Sequence, residues 1–131
     1  MKKIAALILL ATSCLMSGCT DTDEAIADYC NWESYCTDRS YTECRDLYYH
    51  YTDLAPGCDD AIIEMADAYS DLTCPAYHDY ALGMNDICVY WQQNGYRTPQ
   101  DCEIVMNRVY AADRRLRDCL FSYGVDYYGM L

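Results

Sequence analysis

The chain has 131 residues, of which 53% are hydrophobic and 23% are charged, a composition typical of a folded protein. Its 21 acidic and nine basic residues give a formal net charge of −12, which argues against nucleic-acid binding because phosphates require a basic surface. No apolar run reaches the roughly 18 residues of a membrane-spanning helix. Ten cysteines are a high density, and they indicate an oxidising compartment.

The first 18 residues have the pattern of a secretory signal peptide. A basic start is followed by an apolar core over residues 4–15 and then by Met16-Ser17-Gly18-Cys19. This last segment resembles the lipobox of bacterial lipoproteins. The resemblance implies that residues 1–18 are removed and that Cys19 becomes an acylated (palmitate-type) first residue. Thr20 stands where inner-membrane members of the family carry Asp, which implies the outer membrane.

The number of cysteines favours this interpretation over a plain secretory signal that leaves Cys19 as an ordinary thiol. Cys14 is lost with the signal peptide, and Cys19 carries lipid. An even set of eight cysteines then remains, which predicts four disulfides and no odd thiol. These disulfide-forming residues are Cys30, Cys36, Cys44, Cys58, Cys74, Cys88, Cys102 and Cys119.

The mature part is predicted to be a short polar tether, residues 19–24, followed by one domain over residues 25–131. Apolar residues recur every three or four positions, as on the buried face of a helix, and alternation typical of strands does not persist anywhere. The fold class is therefore all-α, a small disulfide-stapled bundle of about five helices. The predicted helices cover residues 23–37, 41–54, 58–73, 77–93 and 99–121.

An internal similarity with an offset of 58 residues suggests two related helical hairpins on either side of the third helix. Each copy carries a C-x13-C pair and a helix that begins with a capping residue followed three positions later by an acid. The corresponding residues are Cys30 with Cys44 and Ser40 with Glu43 in the first copy, and Cys88 with Cys102 and Thr98 with Asp101 in the second.

The disulfide pairing is only partly restricted by this arrangement, since eight cysteines allow about 105 pairings. An antiparallel pair of helices at 77–93 and 99–121 predicts Cys74–Cys119 and Cys88–Cys102. For the first hairpin two alternatives stay open. One is Cys30–Cys44 with Cys36–Cys58, and the other is Cys36–Cys44 with Cys30–Cys58.

Catalytic chemistry has one candidate, His78 with Asp79. Their spacing from Cys74 resembles that of secreted phospholipases A2, in which the His activates water and the Asp binds calcium. The glycine-rich loop that completes the calcium shell in that family is absent, since no glycine lies between Gly57 and Gly83. We therefore expect no hydrolase, no metal and no other cofactor.

Acidic residues and tyrosines are the remaining anomalies. Fifteen acids but only two arginines lie between Asp21 and Asp79, and the chain has 15 tyrosines. Tyrosine is enriched at interfaces, so residues 28–80 could form an acidic, Tyr-rich face for a ligand or a cationic partner. The alternative is a solvated acidic surface over tyrosines that serve in packing.

The domain resembles small Cys-rich lipoproteins of Gram-negative bacteria in composition and spacing. We expect a non-enzymatic protein held on the cell envelope by its lipid, with an interaction or structural role. The expected partners are the membrane, through the anchor, and another protein, but not nucleic acid.

Overall fold

The computed structural model describes residues 21–127, and this part of the chain is all-α, as predicted. It contains five α-helices and, within that range, no β-strand: α1 Thr22–Cys36, α2 Tyr41–Leu54, α3 Asp59–Tyr69, α4 Cys74–Ala81 and α5 Pro99–Ser122. Two short 3₁₀ segments, Pro56–Cys58 and Ile87–Tyr90, join them. The predicted signal peptide, the lipobox and Cys19 lie outside the described residues. Residues 22–24, assigned above to the tether, form the first turn of α1.

Capping residues fix where the helices begin. Ser40 and Glu43 form the reciprocal capping box expected for α2, with the Ser40 amide donating to the Glu43 carboxylate over 2.9 Å. Thr98 accepts a hydrogen bond from the Asp101 amide over 3.1 Å and so caps α5. These two starts confirm the boundaries read from the sequence.

The predicted helix over residues 77–93 is wrong. Helix α4 ends at Ala81, and Gly83 follows with a φ of +75°, a conformation that glycine adopts easily and that terminates helices. The Met84 amide donates to the Asp79 carbonyl and closes this turn. The chain then returns through the 3₁₀ segment, which buries Ile87. No antiparallel pair formed by 77–93 and 99–121 therefore exists.

Four disulfides join all eight cysteines between residues 21 and 127: Cys30–Cys44, Cys36–Cys74, Cys58–Cys119 and Cys88–Cys102. Both C-x13-C pairs are bonded, so Cys30–Cys44 and Cys88–Cys102 are confirmed.

The other proposed pairings, Cys74–Cys119, Cys36–Cys58, Cys36–Cys44 and Cys30–Cys58, are wrong. The 24 residues of α5 extend about 36 Å at 1.5 Å per residue and carry Cys119 away from Cys74 to the start of α3.

The helix directions define two ends of the bundle. Residues 37–40 join α1 to α2, and residues 55–58 join α2 to α3, so neighbouring helices of this series run in opposite directions. Arg108 contacts Asp71 whereas Arg115 contacts Glu64, which shows that α5 is antiparallel to α3. We call the end that holds the start of α1, the end of α2, the start of α3 and the end of α5 the proximal end.

The core lies between α1, α2, α3 and α5 and contains many aromatic side chains. Five tyrosines between residues 21 and 127 are buried, and we call them the tyrosine core: Tyr29, Tyr48, Tyr51, Tyr69 and Tyr77. Their rings meet mostly edge to face, as in Tyr29–Tyr69 with centroids 5.4 Å apart at 90°. The half-buried Trp32 closes the core and donates its indole N–H to the Leu72 carbonyl over 3.2 Å.

Candidate functional site

A groove of about 530 Å³ lies between α1 and α3, within the predicted acidic face. Small apolar residues form its floor, and acidic residues stand on both rims because they occupy the solvent-facing positions of the two helices. The lining residues are Glu24, Ala25, Asp28, Asp60, Ile63, Glu64, Ala66, Asp67 and Ser70. We call this feature the acidic groove.

Two of the five carboxylates of the acidic groove are neutralised by arginines of α5. Arg115 pairs with Glu64, and Arg108 approaches Asp67 at 2.7 Å. Glu24, Asp28 and Asp60 make no ion pair within residues 21–127, so no arginine offsets the negative charge of this part of the rim. Such a surface attracts cations over long range and repels anions.

Most tyrosines of the predicted acidic, Tyr-rich face lie inside the protein. The tyrosine core accounts for five of them, while Tyr35 and Tyr41 are exposed. The five tyrosines of the core are buried because they occupy the inward positions of α1, α2, α3 and α4, whereas the acids of this face occupy the outward positions. The face over residues 28–80 is therefore acidic outside and aromatic beneath.

A buried carboxylate, Asp113 on α5, organises the polar atoms of this aromatic interior. Tyr69 and Tyr80 each donate a hydroxyl to its Oδ2 over 2.6 Å, and Tyr127 donates to its Oδ1 over 3.2 Å. Burial raises the pKa of Asp113, while the three hydroxyls and Arg117 oppose the rise. The three tyrosines come from α3, α4 and the segment after α5, so this single side chain ties together three parts of the fold.

A second buried carboxylate, Glu33, lies at the end of α1 and pairs with Arg39 over 3.2 Å. Burial raises the pKa of Glu33, and the guanidinium partly offsets this effect. Sequence reasoning missed both Glu33 and Asp113. The available signal was position: Asp113 directly follows Ala112 within the apolar stripe that includes Val109 and Leu116, and all four side chains are buried.

His78 and Asp79 lie side by side on α4 but have different surroundings. His78 is exposed, and Asp79 accepts a hydrogen bond from the buried Asn94 amide over 3.3 Å. Asn94 also donates to the Ile87 carbonyl over 2.9 Å. Asp79 thus helps to hold the loop after α4 against the bundle. Within residues 21–127 no three His, Cys, Asp or Glu side chains are grouped to hold a metal ion.

Comparison with protein-family models, with curated proteins and with solved structures found no match to this chain. Among the described residues, no helix combines the length and the apolar character needed to cross a bilayer. The interpretation of the site therefore depends on the geometry of the chain itself.

Proposed function

We propose that this protein is held on the outer membrane of a cell envelope through lipid on Cys19 and has a non-enzymatic interaction or structural role there. The observation that carries the proposal is the pairing of the cysteines. All eight that follow residue 21 are bonded to one another, so none of them is available to Cys19, which favours lipid on that residue. Four disulfides are also typical of an oxidising, extracytoplasmic compartment.

The interior supports a structural role over a catalytic one. Of the large polar side chains that are buried, Asn94 and Asp113 donate or accept hydrogen bonds within the fold, and Glu33 pairs with Arg39 through one of its two carboxylate oxygens.

Acyl chains on Cys19 would contribute about 0.8 kcal/mol for each methylene that enters the bilayer, so a multiply acylated cysteine holds a domain on a membrane without a spanning helix.

Fractionation of the cells that produce the protein tests the anchor. The natural chain should sediment with membranes and enter a detergent phase, because acyl chains partition into hydrophobic media. In cells grown with labelled palmitate, the natural chain should carry the label, and so should the matched variant Ser17→Ala, which keeps a small residue two positions before the cysteine. The variant Cys19→Ser should carry none. If Cys19→Ser is labelled as strongly as the natural chain, the lipid anchor is refuted.

The acidic groove favours a second function, the binding of a cationic partner. Its unpaired rim residues Glu24, Asp28 and Asp60 surround a floor that could accept an aliphatic side chain of lysine or arginine. We infer that a basic peptide is the ligand class that this groove would take.

Calorimetric titration with a hexa-arginine peptide tests the second function. The triple variant Glu24→Gln/Asp28→Asn/Asp60→Asn should weaken binding much more than the matched triple variant Asp38→Asn/Asp53→Asn/Asp86→Asn, which removes the same charge elsewhere. Equal weakening by the two variants would mean that net charge alone attracts the peptide, and it would contradict a defined binding groove.

A further inference from the structure

Three large hydrophobic side chains are exposed at the proximal end of the bundle. Phe121, in the last turn of α5, is 77% exposed, and Leu54, at the end of α2, is 48% exposed. Tyr123 directly follows α5 and is 47% exposed. Most of Phe121 and about half of Leu54 and Tyr123 are therefore hydrophobic surface that packing within the fold leaves open.

Contacts within the fold bring the chain segments that carry these side chains to one end. The Cys58–Cys119 disulfide ties the end of α5 to the start of α3, two residues before Phe121. The Tyr123 ring packs on Gly57 so closely that a side chain at Gly57 would collide with the phenol oxygen. Gly57 follows Leu54 by only three residues, so both chain segments converge on the same surface.

The proximal end is also the end from which the chain leads to Cys19. Helix α1 begins there, capped by Asp21, whose carboxylate accepts the Asp23 amide. Only two peptide steps separate Asp21 from Cys19, and each step spans at most about 3.6 Å. If Cys19 carries lipid, the proximal end must lie within about 10 Å of the bilayer surface, including the reach of the cysteine itself.

We propose that the proximal end docks on the bilayer and inserts Phe121, Leu54 and Tyr123 into the interfacial region, which fixes the bundle upright on the membrane. This inference rests on the proposed acylation of Cys19. Aromatic and aliphatic side chains enter the boundary between headgroups and acyl chains.

The negative charge of the proximal end favours one kind of lipid surface over another. Asp21, Asp23, Asp53 and Asp118 are exposed at or near the proximal end, and no arginine pairs with them within the described residues. Their carboxylates would face the headgroups. They match the ammonium groups of zwitterionic lipids such as phosphoethanolamine and are repelled by anionic lipids. The docking surface therefore fits a zwitterionic bilayer rather than an anionic one.

Fluorescence quenching in vesicles tests the docking with the full, acylated chain. The variant Phe121→Trp is placed in phosphatidylethanolamine–phosphatidylcholine vesicles whose acyl chains carry bromine. Ile104→Trp is the matched control, because Ile104 is 61% exposed on the same helix but at its opposite end. The natural chain supplies the background from Trp32 and Trp91.

We expect strong quenching of the added emission for Phe121→Trp, little quenching for Ile104→Trp, and weaker quenching of Phe121→Trp when anionic lipid replaces part of the zwitterionic lipid. Equal quenching at the two positions, or none at either, would overturn the docking.

The same variant in a Cys19→Ser background shows whether protein covers the site. Blue-shifted emission without vesicles would mean that another part of the chain occupies the surface, and it would also overturn the docking. Mass measurement of each sample separates this result from the proposed function. An unacylated chain refutes the anchor, whereas an acylated chain with an unquenched Phe121→Trp refutes only the docking.

Discussion

The substitution Tyr69→Phe probes the buried contact between the tyrosine core and Asp113. It removes one hydroxyl that donates over 2.6 Å to a carboxylate that is only 1% exposed, and it leaves the ring in place. A hydrogen bond to a charged group typically contributes about 1.5–3 kcal/mol. We expect the free energy of unfolding to fall by about that amount, because the buried carboxylate then keeps only the Tyr80 and Tyr127 donors.

The loss should depend on pH, and its sign follows from the pKa of Asp113. Burial raises that pKa in the folded state, and the Tyr69 hydroxyl lowers it by favouring the ionised form. A raised pKa means that the stability contributed by Asp113 is fully present below its unfolded pKa and decreases as the pH rises through the folded one. Removing the hydroxyl raises the folded pKa further, so the variant should lose more stability at about pH 8 than at about pH 4.

Guanidinium unfolding followed by tryptophan fluorescence at these two pH values measures both effects. The matched control is Tyr35→Phe, because Tyr35 is 81% exposed and its hydroxyl faces solvent. The control should change stability by less than about 0.5 kcal/mol. If Tyr69→Phe behaves like the control, or loses more stability in acid than in base, the role given to Asp113 is refuted.

Three further perturbations test other parts of the fold. Burial raises the phenol pKa of Tyr29, Tyr48, Tyr69 and Tyr77, so the stability that these four side chains contribute is intact below about pH 10 and is lost as the pH rises through their folded pKa values. Absorbance at 295 nm should show steep, cooperative tyrosine ionisation with unfolding, and gradual ionisation of a folded chain would contradict this. Removing the Cys58–Cys119 disulfide, which closes a loop of 61 residues, should lower the free energy of unfolding by about 4 kcal/mol, against about 3 kcal/mol for Cys30–Cys44, which closes a loop of 14 residues. Thermal unfolding of the two variants, each with both cysteines replaced by serine, compares these losses. A larger loss for Cys30–Cys44 would contradict the view that the disulfides stabilise the fold by restricting the unfolded chain. Replacing Arg39 with Met leaves the buried Glu33 carboxylate without its cation and should lower the free energy of unfolding by about 3 kcal/mol at neutral pH and by less in acid. The control is an exposed arginine of α5 replaced by Met and unfolded in the same way. Equal losses of stability in the two variants would mean that the Glu33–Arg39 pair is not buried in solution.

Local signals predicted much of the secondary structure. The capping box at Ser40 and the Thr98 cap placed the starts of two helices, because these side chains satisfy backbone amides within one turn. The prediction of a helix over 77–93 was wrong although Met84 and Ile87 do face inward, because they face inward from a turn and a 3₁₀ segment. A helical stripe and such a folded-back loop leave the same spacing in the sequence, and only Gly83 distinguished them.

Features that depend on tertiary packing could not be read locally. The partner of Cys119 depends on the length of α5 relative to α4. Helix α4 ends at Ala81, and the apolar spacing does not predict this early end. The helix position of Asp113 indicates that it faces inward, but nothing local shows that Tyr69, Tyr80 and Tyr127 converge on it from sequence separations of 44, 33 and 14 residues. The outward position of the acids, by contrast, follows from helical periodicity alone.

Intact-mass and peptide mass spectrometry of the mature protein, purified from its own membranes without reduction, tests the central claim most directly. The account predicts a chain that begins at Cys19, carries acyl chains on that residue, and has the four disulfides of the structure with no alkylatable thiol. A mature N-terminus at any other residue, or an unmodified Cys19, would contradict the lipid anchor and the membrane docking that rests on it.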